Sequence, residues 1–503
     1  MNRKDALGEI SRKLSRSKIF LSGDVSPDIV EGVQIDALVA EIEASISPSE
    51  SGLSFATAED ILEAIGRISK PKAPEPIEVL QSSSFKPVAS DLDAIYSIKN
   101  RPVERAEGTV NDFIMYFRSR LKKIKSILGA RLNGSGIINA LESLKTFADG
   151  KQVAIAGIVT SKITTRNGNI MVVLEDETAE AKVIFMNSAA QKSRELFTSA
   201  SSIINDEVLA VKGKISGPFV IANEIMWPDV PIRERKKVED DIAIAFMSDI
   251  HVGSKLFMER NFSRMIKWLN GGVEGASKEL AGKIKYIIMA GDVADGIGVY
   301  PDQDKDLAVP DIYSQYKMLA DYIEAIPDYI HVFVLPGNHD AVQRAEPQPP
   351  FAPDMLDIKK DNVHILQNPS VMNLHGLEVL AYHGTSLDSI IASVPGMSYS
   401  RPESAMVEVL KRRHLSPVYG GNVVVPSRND NMVIEDPPDI LHMGHIHKNG
   451  LTEYHGVKIV NSGTWQGRTD FQIRQGHIPT PCVLPVFSMK SYTFTNVDFS
   501  STV

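Results

Sequence analysis

The sequence predicts a multidomain chain with three folded parts: an α-helical N-terminal module, a small β-barrel, and a larger α/β domain built as a β-sandwich flanked by helices. Three observations predict it. Apolar residues recur at three-to-four spacing as far as about Ser69. Five short alternating runs with glycine at their bends lie between Lys151 and Trp227. After Asp241 come five apolar runs, each followed at once by a cluster of Asp, Asn or His. A length of 503 residues is too great for one core, and 43% hydrophobic residues suffice for globular folding. No apolar run is long enough to span a bilayer, so no membrane association is expected. Cys482 is the single cysteine, which excludes an internal disulfide framework and a cysteine-based zinc cluster. The opening Met1-Asn2-Arg3-Lys4-Asp5 runs into an acidic amphipathic pattern unlike a secretion signal, and a reducing, cytoplasmic location is the expectation. A net charge of −9 argues against nonspecific nucleic-acid binding over the whole surface, though a local basic groove stays open.

Residues 1–69 read as a helical accessory module for packing or protein binding. Ile10 and Leu14, then Ile35, Leu38 and Ile42, mark its apolar faces, and Thr57-Ala58-Glu59-Asp60 resembles a capping box ahead of Ile61. Residues 70–105 read as a flexible linker, because Pro71, Pro74, Pro76, Pro87 and Pro102 combine with Ser82-Ser83-Ser84. Residues 106–142 hold a basic helix leading into the barrel. From Asp112 to Arg131, Phe113, Phe117, Leu121, Ile124 and Leu128 form one face, and Arg118, Arg120, Lys122, Lys123 and Lys125 the other. That basic face either contacts phosphates or is solvated, the second being the default. Residues 143–230 suit an OB-fold domain, a closed barrel of the oligonucleotide-binding type with a helical insert near Ala189 to Phe197. Such barrels bind single strands through basic and aromatic side chains. Few exposed aromatics are evident here, so a scaffold barrel for subunit contact is an equal reading.

Residues 231–503 form the α/β domain. The runs ending at Met247, Ala290, Leu335, Ala381 and Met443 read as buried strands. They release, in turn, Asp249 and His251; Asp292; Asn338, His339 and Asp340; His383; and His445 and His447. Functional groups of such sheets collect in loops just past the strand ends. Asp249 and His251, two apart in an extended chain, would point the same way. Each cluster alone is a weak signal, but five in this order and context point to one metal site. Imidazole, carboxylate and amide donors suit borderline divalent ions, manganese first and then iron, zinc or cobalt, better than calcium. Two such ions about 3.5–4 Å apart clamp a phosphate and activate a water between them, so no serine or cysteine nucleophile is needed.

The five stretches Asp-x-His, Gly-Asp, Gly-Asn-His-Asp, His and Gly-His-x-His resemble the metallophosphoesterase (calcineurin-like) superfamily. That resemblance implies that Asp249, His251 and His447 hold one metal, that Asn338, His383 and His445 hold the second, and that Asp292 bridges them. It also implies that His339 sits over the phosphate, with Asp340 orienting it. At closer range Ser248–Lys255, Leu335–Val342, Ala345–Pro349, Asn461–Gln466 and Arg474–Pro481 resemble the small subunits of archaeal family-D DNA polymerases. This covers the chain from about Lys151 onward. It implies a 3′-to-5′ exonuclease that proofreads on DNA for a separate large polymerase subunit. A stand-alone metal-dependent phosphatase and a scaffold subunit with a vestigial site are the alternatives.

Four other features have plain readings. Asp295 reads as a polar turn residue or a support for a ligand, and the turn is favoured. His442 reads as a packed core residue. Lys411-Arg412-Arg413-His414 reads as a solvated helix end or a DNA contact, and Pro479–Phe487 as a sandwich-closing segment or a docking surface for the large subunit.

Overall fold

The computed structural model describes residues 3–30, 35–46, 54–69, 85–131, 136–137, 140–272 and 276–501. The chain divides into two compact units, Met1–Pro76 and Ile77–Val503. In the first, helices Arg3–Leu14, Ile35–Ser45 and Ala58–Ser69 enclose Ile10, Leu14, Leu38, Ile42, Ile61 and Ala64. The cap forms as the sequence predicts: Asp60 N–H donates to Thr57 Oγ1 at 3.2 Å, and Thr57 N–H to the Asp60 carboxylate at 2.8 Å. The module is not purely helical. Ile19–Leu21 and Ser54–Ala56 pair as parallel strands, each too short to leave a periodic signal.

In the second unit, the expected flexible linker is corrected from Phe85 onward; residues 70–84 lie outside those described. Val88–Asp91 forms a 3₁₀ turn with Ala89 buried, and Lys285 Nζ donates to the Ala89 and Leu92 carbonyls at 3.0 and 2.6 Å. Tyr96–Ile98 then adds an edge strand to Ser370–Leu374. Proline and serine conceal this because a three-residue edge strand with exposed side chains carries no apolar alternation.

The barrel closes in the order Gln152–Thr164, Ile170–Glu175, Glu180–Phe185, Phe219–Met226, Val208–Ser216, with helix Gln191–Ser201 inserted after its third strand. Helix Val110–Arg131 packs on it, and the buried side chains are Tyr116, Arg120, Leu121, Ile124 and Leu128. Three of the basic residues expected to meet solvent or phosphate are used internally. Arg120 Nε donates to Asp430 at 2.8 Å, Lys123 to the Asp430 carbonyl at 2.9 Å, and Lys125 pairs with Asp176 at 3.3 Å. The 411–414 stretch is corrected too. Arg412, Arg413 and His414 are buried, with Arg412 on Glu207 at 2.6 Å and His414 on Asp430 at 2.8 Å. Lys411 Nζ lies over the Trp227 ring. Burial takes Arg412, Arg413 and His414 out of water, so each needs a polar partner: a carboxylate for Arg412 and His414, and the Ile434 and Asp229 carbonyls for Arg413.

The α/β domain is a sandwich of two six-stranded sheets. One runs Val363–Ile365, His331–Leu335, Ile284–Ala290, Ala243–Met247, Val483–Ser488, Thr493–Asp498, and the other Asn449–Tyr454, Val457–Ser462, Ile440–Met443, Leu377–Ala381, Ser370–Leu374, Tyr96–Ile98. Ile244, Phe246, Ile288 and Phe333 of the first meet Met372, Leu377, Val379 and Ile440 of the second. Helices Glu259–Leu269 and Ile312–Glu324 bury Phe262, Met265, Leu319 and Ile323 against the first sheet's outer face. Helices Leu387–Ser393 and Pro402–Arg412 cover the second with Ile390, Met406 and Val409. Val483–Ser488, within the apolar C-terminal stretch, closes the first sheet beside Ala243–Met247. No helix among the described residues is long and apolar enough to cross a membrane.

Arg120→Ala leaves Asp430 buried without that partner and is expected to destabilise the second unit by about 3–5 kcal/mol in denaturant unfolding. Burial pushes the Asp430 carboxyl up, but His414 and Arg120 outweigh it and hold it well below the usual range. The contribution is therefore present above about pH 4 and lost as pH falls further. An unchanged unfolding midpoint for the variant would contradict a desolvated pair.

Candidate metal centre

All nine predicted site residues lie just past the C-terminal ends of Ala243–Met247, Ile284–Ala290, His331–Leu335, Leu377–Ala381 and Ile440–Met443. The loops lock to one another through backbone bonds. Asp249 N–H donates to Gly291 O at 2.9 Å, His251 N–H to Asp292 O at 3.0 Å, and Gly444 N–H to His383 O at 2.8 Å. Asp249 and His251 do not reach the site from an extended chain. Both are left-handed, with φ of 51° and 53°, as are Asp292 at 50°, His445 at 68° and His447 at 55°. Asp and His tolerate this region better than most residues, and such strain concentrates at functional sites. Two glycines permit the approach. A Cβ on Gly337 would lie 2.3 Å from Asp292 Oδ1, and one on Gly444 would lie 2.3 Å from Ser248 Oγ.

The donor atoms converge in two groups. One ligand atom from each of Asp249, His251 and His447 lies within 4.8 Å of the others, as does one from each of Asp292, His383 and His445. His251 Nε2 and His447 Nε2 are 3.1 Å apart, and His447 Nε2 is 3.3 Å from Asp249 Oδ1. In the second group His383 Nε2 is 2.9 Å from Asn338 Oδ1 and 3.2 Å from Asp292 Oδ2. His383 Nδ1 faces the Ala290 carbonyl at 2.9 Å and must donate there, so Nε2 is the nitrogen that meets Asn338 and Asp292. His251 Nδ1 likewise donates to Asp295 Oδ1 at 2.9 Å. Asp249 Oδ1 is buried without a hydrogen-bond donor. Converging donor atoms and an orphaned carboxylate oxygen are what a cation fits, and imidazole with carboxylate and amide oxygen suits a borderline divalent ion.

The electrostatics agree. Burial pushes His383 and His251 down, but neighbouring carboxylates outweigh it: Asp292 lifts His383 to about 10, and Asp295 lifts His251 to about 9. Burial opposes ionisation of Asp292 and Asp249 as well, yet the surrounding imidazoles hold both carboxyls low. The pocket attracts positive charge strongly enough to overcome desolvation.

His339 lies against the first group, its ring centroid 4.8 Å from that of His251. Its Nδ1 donates to the Asp295 carbonyl at 2.8 Å, and its backbone N–H donates to Asp292 Oδ1 at 2.8 Å. Asp340 does not orient it. Successive side chains diverge, and the Asp340 carboxylate accepts instead from the N–H groups of Gly337 and Ala294 at 2.8 and 3.1 Å and from Tyr316 at 3.0 Å. Burial first, and then the Asp292 charge, push this carboxyl up to about 7. Asp340 thus fastens two ligand-bearing loops together.

Two polar partners escaped sequence reasoning, and a third was given the wrong one of its two readings. Asp295 is buried and holds His251, which corrects the reading as a turn residue; its place three after Asp292 was a usable signal. Asp388 pairs with His445 Nε2 at 2.9 Å, and Gln472 hydrogen-bonds His447 Nδ1 at 2.9 Å. Neither has a local motif. His442 is a packed core residue as expected, bonded to Ser462 Oγ at 3.0 Å.

The calcineurin-like phosphoesterase family profile matches residues 242–449, the stretch that carries the whole donor set. The DNA polymerase II small subunit of Archaeoglobus fulgidus is 43% identical over 386 residues, 76% of each chain. That of Methanothermobacter thermautotrophicus is 35% identical over 491 residues, 96% of this chain and 98% of that one. The chain belongs to the archaeal DNA polymerase II small-subunit family. The Methanocaldococcus jannaschii member is 39% identical over 417 residues, covering 81% of this chain and 69% of that one. The Methanothermobacter match takes the likeness of this small-subunit chain across nearly its full length.

Asp295→Asn removes the carboxylate that fixes the His251 tautomer. It is expected to weaken divalent-ion affinity about 10–100-fold in calorimetric titration. Unchanged affinity would assign Asp295 no part in the centre.

Proposed function

We propose that this chain is the small subunit of a heteromeric DNA polymerase and a metal-dependent 3′-to-5′ exonuclease, removing nucleotides from single-stranded or frayed DNA ends for a large polymerase subunit. The observation that carries this reading is the intact donor set, with His383 Nε2 facing the Asn338 amide and Asp292 carboxylate oxygens and His251 Nε2 facing His447 Nε2 beside Asp249. Among polymerase small subunits, a purely structural one would have no use for a buried carboxylate oxygen without a donor, as at Asp249 Oδ1. In this reading Asp249, His251 and His447 would hold one divalent ion and Asn338, His383 and His445 the second, with Asp292 shared between the two sets and manganese the first choice. When bound, the two ions supply the Lewis acidity that polarises a phosphodiester and lowers the pKa of water.

The remaining steps belong to side chains. The Asp295 carbonyl fixes the proton on His339 Nδ1, which leaves Nε2 as the nitrogen that meets the phosphate. Protonated there, His339 stabilises the growing negative charge or passes its proton to the leaving 3′ oxygen. Burial pushes the His339 imidazole down and the Asp292 charge opposes that, so the protonated form depends on Asp292. Asp340 acts on this reaction only by positioning the loops.

His339→Ala is expected to lower nucleotide release about 10²–10⁴-fold while metal content, read by elemental mass spectrometry, stays at two ions. Asp292→Ala is expected to lose both ions. Unchanged cleavage in the first, or two retained ions in the second, would refute those roles. The direct test of function offers the chain matched and mispaired primer ends in manganese, with and without the large subunit, beside a chromogenic phosphate monoester. Release from DNA, faster at mispaired ends, is expected; turnover of the monoester alone would indicate a phosphatase, and no release from either a scaffold.

A further inference from the structure

Beyond the donor groups, one pair of rings is tied to the centre and has no role in it. Tyr399 and His477, 78 residues apart, are stacked with centroids 4.1 Å apart and planes 30° from parallel, and neither ring is buried. The Tyr399 hydroxyl is close enough to Asp388 to feel its charge, and the same carboxylate holds His445 Nε2 at 2.9 Å. The pair is therefore anchored one carboxylate away from a candidate ligand. His477 follows directly on the short helix Asp470–Arg474, whose Gln472 bonds His447. Both rings are thus attached to elements that also carry or support the donor set. Exposed Phe471 (61%) and Ile478 (68%) flank the same segment.

We propose that Tyr399 and His477 form a stacking shelf for the terminal nucleobase of the single-stranded end whose phosphodiester enters the metal centre. The proposal rests on the nuclease reading above and supplies what that reading lacks, a hold on the substrate outside the phosphate. A stacked pair of rings offers its outer faces to a further flat ring, and every nucleobase has one, so recognition here is independent of sequence. Charge suits the same occupant. Exposed Arg468 is close enough to act on His477, placing a cation where a strand's backbone phosphates run beside the shelf. Burial and Arg468 push the His477 imidazole down, against the charge of Asp388, which raises it. A phosphate monoester without a base would gain nothing from this arrangement.

The test uses the full chain with manganese and two oligonucleotides with cleavage-resistant phosphorothioate termini. One ends in the fluorescent base 2-aminopurine and the other in an abasic residue. The wild-type chain is expected to bind the base-terminated strand about tenfold more tightly and to quench its fluorescence. His477→Ala is expected to abolish both the preference and the quenching. His477→Phe, which retains a ring to stack on, is expected to preserve them. Equal affinity for the two strands in the wild type, or a preference that survives His477→Ala, would overturn the shelf. Preference and quenching without nucleotide release from unprotected strands would uphold the shelf and refute only the nuclease reading.

Discussion

Five loops bring imidazole nitrogens and carboxylate and amide oxygens together in one largely buried cluster, and the α/β domain is arranged to hold them there. Asp249 Oδ1, Asp292 Oδ2, Asn338 Oδ1 and the Nε2 atoms of His251, His383 and His447 approach one another at about hydrogen-bond distance, and Asp249 Oδ1 has no donor. Such a cluster is unfavourable without positive charge, and the price is met by rigidity elsewhere. Five of the donor residues sit in left-handed backbone. Main-chain bonds tie the Asp249 loop to that of Asp292 and the His383 loop to that of Gly444, and the Asn338 loop is held by His339 N–H on Asp292 Oδ1. Asp340 and Asp295 fasten the same loops from behind. The two packed sheets supply a base that does not yield, because an interior at close-packed density transmits strain rather than absorbing it.

A second constraint joins barrel to sandwich. Arg120, Arg412 and His414 are buried beside Asp430, Glu207 and Glu408, so the junction within this unit is polar but desolvated. Ion pairs of this kind add little net stability compared with apolar packing, yet they admit few alternative arrangements. They fix where the barrel stands relative to the loops that bear the donors. This matters for a substrate longer than a single phosphate.

Much of this was legible in sequence because strand and ligand are adjacent in it. His331–Leu335, Leu377–Ala381 and Ile440–Met443 were readable to the residue, since a buried strand is an uninterrupted apolar run that stops where the polar loop begins. The barrel strands were legible as five runs but not in full length, since Gln152–Thr164 and Phe219–Met226 continue past their apolar stretches. What failed to show depends on contacts between distant segments. Arg120 and Arg412 look like surface cations until Asp430 and Glu207 are brought to them from hundreds of residues away. Asp388 and Gln472 support ligands without any motif, and the backbone signs at Asp249 and His251 leave no trace in residue type. The Asp340 role was misassigned for a related reason: adjacency in sequence is not adjacency of side chains.

The central claim is that these donor atoms surround two divalent ions. Anomalous scattering from crystals of the chain grown in manganese tests it most directly. Two peaks are predicted, one among Asp249, His251 and His447, the other among Asn338, His383 and His445, with Asp292 in reach of both. A single peak, or ions bound anywhere but between these side chains, would contradict the account.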